Sequence, residues 1–478
     1  MAADQADRKR RGAWFTPDHL VRSVVDAVVD AAFVQRRGDR PIAVIDPACG
    51  DGRFLIEVAD AVERAGGSVE LVGVDVDVDT VADLALRRSD IECRCDDALS
   101  SSWLDDRSDT FDLVIGNPPY LSQMSAATTR GGASRHGGGP YADAAAEFLS
   151  LGARLVRPDG GRLAYVLPQS ILSARDAAPV RNVIDASSQM IWSAWTGGRD
   201  FDAEVVTCAL GFEFGAPSEP VGTIGNWAHV VTERSGIPPV SDVLVDPWPA
   251  SGRLGDRAWL NANFRDEYYG MVPAVGDHRT GPRLVTSGLI DPGRCRWGER
   301  SVRFAKRRFD APRLDLSMLD EKMTSWAEKR LVPKVLIANQ TPIVEAVCDP
   351  TGDCLPGVPV VTAYPSIGTG RQAVDRSVAA ATAWEIAAVL TSPSVSVWAW
   401  HQRAGTGLSA DSIRLGPTML ADLPWPVGAL DAAVSALRAG DVVGCGRLVD
   451  AAYGIPADQA NAASGWWRPL FDRVSQRA

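Results

Sequence analysis

A doubly wound α/β fold with a mostly parallel sheet is predicted for the first half of this 478-residue chain. Three observations carry that prediction. Strand-like and helix-like segments alternate from Pro41 to about Phe214, the pattern of a sheet covered by helices. A turn bracketed by Gly50 and Gly52 directly follows the first apolar run, as in βα turns that let the backbone approach a ligand. Successive apolar runs end in acids and then in Asn117. That order lines polar groups along one sheet edge, where such folds bind ligands.

The elements follow in sequence. Ile42 to Ile45 is short and apolar, fit for a buried strand, and Phe54-Leu55-Ile56 begin a helix-like pattern. Between them, Gly-Asp-Gly lacks the full GxGxxG and the P-loop Lys, which disfavours phosphate binding. The run Leu71 to Val74 ends in Asp75, 25 residues after Gly50 and near where a ribose-binding carboxylate is expected, with Asp77 as the next candidate. A third run ends at Cys95-Asp96-Asp97, and a fourth, Phe111 to Gly116, leads into Asn117-Pro118-Pro119-Tyr120.

That tetrapeptide suits chemistry at a planar amine. The lone pair of an adenine-type NH2 group is spread into the ring, so the nitrogen is a poor nucleophile. An Asn carbonyl and the adjacent backbone carbonyl can accept from both hydrogens and draw the nitrogen toward a tetrahedral shape. The prolines stiffen the turn, and Tyr120 offers a face on which a base can stack. By itself an Asn-Pro turn is a common strand ending; the acids and glycines upstream give it meaning.

With these motifs the chain resembles the class I S-adenosylmethionine-dependent methyltransferases, and more narrowly the TaqI-type (gamma-class) DNA adenine-N6 methyltransferases. Asp46 to Gly52 resembles their cofactor loop, with Asp46, Ala48, Gly50 and Gly52 as its cofactor-binding positions, and Asn117 to Tyr120 resembles their catalytic loop. The resemblance implies that Asp75 holds the cofactor ribose and that Asp97 reads its adenine, with Asp96 as a register alternative. Where the family often has a bulky apolar residue after that acid, this chain has Ala98. Gly12 to Pro17 is similar to the segment whose Thr, here Thr16, contacts the methionine end of the cofactor. An aromatic facing the target base opposite Tyr120 is implied at Phe201, just before the run Val205 to Leu210.

The length allows two or three domains, and 46% hydrophobic with 23% charged residues suits a globular chain. No uninterrupted apolar run of about 18 residues appears, and the first residues lack a signal-peptide core, so a cytoplasmic protein without membrane contact is expected. Eight cysteines show neither a CxxC pair nor His/Cys ligand spacing, so no metal is expected, and Cys49 reads as a small buried thiol. The net charge of −11 argues against a general polyanion binder. One local strip departs from it: Arg294 to Arg308 holds seven basic residues and one acid, interleaved with Trp297 and Phe304. Arg294, Arg296, Arg303, Lys306 and Arg307 are therefore candidate DNA-binding residues, against the alternative of a solvated basic face.

After Tyr120 comes a Gly/Ser/Thr-rich loop of some 20 residues, a length commonly functional inside a domain. It reads as an insertion or as a lid that orders on DNA, with Arg130, Arg135 and His136 near phosphates. Ala142 to Val156 is helix-like and Gly161 to Pro168 strand-like. A Pro/Gly-rich connection runs from Gly215 to about Ser251. The organisation expected is a catalytic domain over 1–225 and a mixed α+β target-recognition domain over 250–478. Lys334 to Asn339 and Val358 to Ala363 look like buried strands there, and Leu423-Pro424-Trp425-Pro426 resembles the closing turn of TaqI-type recognition domains.

The resemblance implies transfer of a methyl group from S-adenosylmethionine to adenine N6 in a specific sequence of double-stranded DNA, within a restriction-modification or phage-defence system. A cognate restriction endonuclease or other defence protein is the expected partner. The alternatives are methylation of RNA bases or of a protein glutamine amide, and a catalytically inactive specificity subunit. About half of the chain lies after the catalytic part, which favours DNA over a protein substrate.

Overall fold

The structure is a computed structural model that describes residues 16–120, 136–139, 142–198, 205–215, 225–246, 249, 251–263, 265–366 and 374–477. It divides into two compact units, Met1–Val231 and Thr232–Ala478.

The first unit is built on seven strands: β1 (Ile42–Asp46), β2 (Val69–Asp75), β3 (Ile91–Cys95), β4 (Leu113–Gly116), β5 (Arg162–Pro168), β6 (Ser188–Trp195) and β7 (Thr207–Phe214). Their order in the sheet is β3-β2-β1-β4-β5-β7-β6. Strands β1 to β5 pair in parallel, while β7 runs antiparallel to both β5 and β6. The chain winds outward from β1 to β3, then crosses back to lay β4 beside β1. The order reverses between β1 and β4, and this switch point opens a crevice at their carboxyl ends. Asp46 and Gly116, the last residues of those strands, therefore stand at its two sides.

Local chemistry explains why these segments take these forms. Val44, Ile45, Leu113, Val114 and Ile115 are fully buried, because central parallel strands are covered on both faces. Burying each such side chain contributes about 1.5–3 kcal/mol relative to exposure. The helix Arg53–Arg64 buries Phe54, Leu55, Val58, Ala61 and Val62, an apolar stripe at helical spacing. The helix Asp18–Val28 adds Val21, Val24, Val25 and Val28 to the same core. The helix-like stretch after the long loop is Ala144–Leu155, capped by Asp143, whose side chain accepts from the Ala146 amide.

The second unit centres on a four-stranded antiparallel sheet in the order Ala346–Asp349, Lys334–Ala338, Val360–Pro365, Ala258–Ala262. The helix Arg376–Leu390 packs on it. Leu423 and Trp425 are buried, and the turn they belong to is pinned by bonds from Leu254 N to Leu423 O and from Trp425 N to Gly252 O, both 2.9 Å. Among the described residues no single helix is long and apolar enough to cross a membrane.

Candidate active site at the switch point

The crevice edge is assembled from four strand ends and the segment that enters the first helix. After β1, Gly50 and Gly52 adopt φ of 52° and 78°, values that side chains rarely tolerate. A Cβ placed on Gly50 would meet nothing within 4 Å, so the turn leaves open space against its backbone. The Asp75 carboxylate, at the end of β2, fixes the turn: one oxygen accepts from Gly50 N at 2.9 Å and the other from Asp77 N at 3.0 Å. Asp77 is occupied otherwise, because its side chain caps the helix Val78–Arg87 through the amides of Asp79 and Thr80. Asp75 is the better placed of the two acids.

Asp46 is only 1% exposed and accepts from Ala48 N at 3.0 Å. Burial holds its carboxyl well above the usual range against that hydrogen bond, reinforced by the charges of Asp75 and Asp51. A Cβ on Gly116 would run into the Asp46 carboxylate, so a side chain where β4 passes β1 would have to displace that carboxylate. Cys49 is buried among apolar neighbours and burial pushes its thiol up, which suits a packing role.

Beyond β3, Asp96 and Asp97 part in role. Asp96 is spent on local structure, accepting from the Ser101 hydroxyl at 2.5 Å and from Asp97 N at 2.9 Å. The Asp97 side chain is exposed and accepts from Leu99 N at 3.1 Å and the Ser100 hydroxyl at 2.9 Å. Ala98 is buried, so it presents no side chain outward.

Past β4, Asn117 Nδ2 donates to Thr16 Oγ1 at 3.0 Å, and Asn117 Oδ1 accepts from the Tyr120 hydroxyl at 2.5 Å. That hydroxyl also lies 3.3 Å from the Val166 carbonyl on β5. Burial pushes the Tyr120 phenol well above its usual range, so it stays a neutral donor. Thr16, Asp46, Ala48, Gly50, Gly52, Asp75, Asp97, Asn117, Pro118 and Tyr120 thus all lie at the carboxyl-end edge of β1 to β4 or in the segment bonded to it. Phe201, Arg130, Arg135 and the stretch 12–15 lie outside the described residues. His136 is described, and its ring nitrogen bonds the Leu99 carbonyl at 3.0 Å. Arg53 escaped the sequence reading: it donates to the Thr16 carbonyl and binds the Asp51 carboxylate. Its place directly after Gly-Asp-Gly was the available signal.

In the second unit the basic strip divides. Arg294 pairs with Glu299 at 2.8 Å, Arg296 with Asp291 at 2.6 Å, and Arg300 with Asp291 at 3.0 Å. Arg296 and Arg300 also donate to the carbonyls of Ser475 and Arg477, so they tie down the C-terminal helix. By contrast Arg303, Lys306 and Arg307 are exposed on a hairpin, Val302–Phe304 with Arg307–Phe309. Its tip, Ala305-Lys306, has φ of 48° and 64° without a glycine, a strained turn of the kind found at functional sites. The interleaved aromatics are not free surfaces. Phe304 is buried, and the guanidinium groups of Arg283 and Arg313 lie 5.0 and 4.5 Å from the ring centre of Trp297.

The strand order and the glycine turn at the switch point define a class I S-adenosylmethionine-dependent methyltransferase fold. More narrowly, residues 2–184 match the family model described as N-6 DNA Methylase. Fold and family indicate S-adenosylmethionine as the cofactor, and the open space at Gly50 beside Asp75 fits it. The type II methyltransferase M.CvrRI of Paramecium bursaria Chlorella virus XZ-6E is 27% identical over 188 residues, 39% of this chain and 43% of that protein. The type I restriction enzyme MjaIX methylase subunit of Methanocaldococcus jannaschii is 31% identical over 24% of this chain and 20% of its own. The chain thus matches less than half the length of these curated relatives. Among solved structures, the type IIL restriction-modification enzyme MmeI in complex with DNA aligns over 96% of this chain and 77% of its own, at 13% identity and a TM-score of 0.48.

Proposed function

We propose that this chain is a DNA methyltransferase of the TaqI type that transfers a methyl group from S-adenosylmethionine to N6 of adenine in a specific duplex sequence, within a restriction-modification or phage-defence system. The observation that carries the proposal is the Asn117–Pro118 pair of carbonyls at the end of β4, held beside the glycine turn of β1. The family model's description supports DNA as substrate, and the name of the MjaIX methylase subunit supports a cognate restriction partner.

When bound, S-adenosylmethionine supplies an electrophilic methyl group. Asp75 accepts from the ribose hydroxyls, Asp97 from the adenine amine, and the glycine turn lets the cofactor approach the backbone. The target adenine leaves the duplex and enters the crevice, where Tyr120 offers it a face to stack on. Asn117 Oδ1 and the Pro118 carbonyl accept from its amino group. The nitrogen lone pair forms the new N–C bond as the methyl–sulfur bond breaks, with that bond's electron pair staying on sulfur as a neutral thioether. The two acceptors stabilise the cationic nitrogen, which then loses its proton to water. Holding the reactants in line supplies much of the rate.

The test is label transfer. The purified chain, given tritiated S-adenosylmethionine and genomic DNA lacking adenine methylation, should yield labelled N6-methyldeoxyadenosine after digestion. Label only in RNA or in protein glutamine would overturn the assignment.

Target recognition is assigned to residues 250–478, and within the basic strip to the hairpin. Exposed Arg303, Lys306 and Arg307 form no ion pair among the described residues, whereas Arg294, Arg296 and Arg300 are paired. Changing Arg303 and Arg307 together to Ala should flatten the log–log salt dependence of DNA binding by roughly 0.9 for each phosphate no longer neutralised. Changing Arg294 should leave that slope alone. Titrations of cognate and random duplexes at several salt concentrations check both, and an unaltered slope in the double variant would remove the hairpin from the interface.

A further inference from the structure

Asn117 is gripped at both ends of its amide. Nδ2 donates to the Thr16 hydroxyl and Oδ1 accepts from the Tyr120 hydroxyl. The grip matters because the Asn117 carbonyl can meet a target amine only while its side chain stays in place. Tyr120 has a second acceptor in the Val166 carbonyl, 3.3 Å away. Its hydroxyl therefore keeps a partner when a target amine takes its place on Oδ1.

Thr16 is itself held. It is 3% exposed, and its backbone carbonyl accepts from Arg53. Arg53 is in turn anchored by Asp51 at 2.6 Å, inside the glycine turn. One hydrogen-bonded chain thus runs Asp51, Arg53, Thr16, Asn117, Tyr120, joining the cofactor turn to the amide that meets the base.

We propose that Thr16 is a positioning residue that holds the Asn117 side chain in place at the crevice, and that Arg53 couples this hold to the glycine turn. The role differs from a cofactor contact by Thr16 and rests on the methyltransferase assignment above. Val in place of Thr16 keeps the shape and removes the hydroxyl, whereas Ser keeps the hydroxyl. At saturating cofactor, Thr16→Val should lower turnover by about 10- to 10²-fold, less than loss of Asn117 itself. Thr16→Ser should restore most of that turnover. Calorimetry on the free protein should find cofactor affinity changed by no more than about twofold, since one uncharged hydrogen bond bears on Asn117 and not on the cofactor.

A readout independent of activity is the Asn117 side-chain NH2 resonance in asparagine-labelled protein, assigned by its absence in Asn117→Ala. Its exchange with solvent should quicken in Thr16→Val and remain slow in Thr16→Ser. Full turnover by Thr16→Val, or turnover recovered simply by raising cofactor concentration, overturns the proposal. So does a Ser variant as impaired as Val, which would mark packing as the cause. If the wild-type chain methylates no adenine in DNA, the functional assignment fails, and the exchange rates still decide whether Thr16 holds Asn117.

Discussion

Replacing Asn117 with Ala is expected to slow methyl transfer to adenine by about 10²- to 10³-fold, by analogy with losing one oxyanion-hole donor. The Asn117 carbonyl is one of two acceptors proposed to draw the target nitrogen toward a tetrahedral shape. It is aimed by Thr16 and Tyr120 from either side. Its loss leaves the Pro118 carbonyl alone with the developing charge. Cofactor affinity should persist, because the turn carrying Gly50 and Gly52 is held by Asp75 and not by Asn117. Single-turnover rates with saturating DNA, beside calorimetric titration of S-adenosylmethionine, separate the two effects. Unchanged turnover would refute the mechanism, and lost cofactor binding would relocate Asn117 to the cofactor site.

The second large effect is expected at Asp75. Its two oxygens already hold the Gly50 and Asp77 amides, at 2.9 and 3.0 Å. An ionised carboxylate has about four acceptor sites, which leaves capacity for a ribose. Asp75→Ala removes both functions and orphans the Gly50 N–H in a turn that depends on it. Hydrogen bonds to charged groups are worth about 1.5–3 kcal/mol each, so cofactor affinity should fall by about 10- to 10²-fold or more. Asp75→Asn keeps one acceptor and should fall between. The DNA sequence methylated at high cofactor should not change. Wild-type affinity in Asp75→Ala, read by calorimetry, would end the ribose assignment. Asp77 would be a poor replacement, since its carboxylate caps the helix Val78–Arg87.

Much of the first unit was legible in the sequence because its signals are local. A glycine turn needs positive φ at Gly50 and Gly52, and a buried parallel strand needs an unbroken apolar run. Both show within a few residues of sequence. The strand expected over Gly161 to Pro168 is Arg162–Pro168, and the helix expected over Ala142 to Val156 is Ala144–Leu155. Strand β6, Ser188–Trp195, went unread because its pattern is mostly half-exposed at a sheet edge.

Sequence alone determined that acids and an amide stand at successive strand ends, because strand, turn and side-chain type are written in neighbouring residues. Only the tertiary structure decided what those groups hold. The Thr16–Asn117 bond spans 101 residues, and Arg296 meets Ser475 across 179. Such pairs form because burial leaves a polar group no water to bond and forces it onto whatever partner the packing brings near. The same packing divided the basic strip, for a run of cations shows its charge but not which acids lie opposite. Asp291 and Glu299 neutralise Arg294, Arg296 and Arg300. The antiparallel pairing of Val302–Phe304 with Arg307–Phe309 buries two phenylalanines and turns Arg303, Lys306 and Arg307 to solvent.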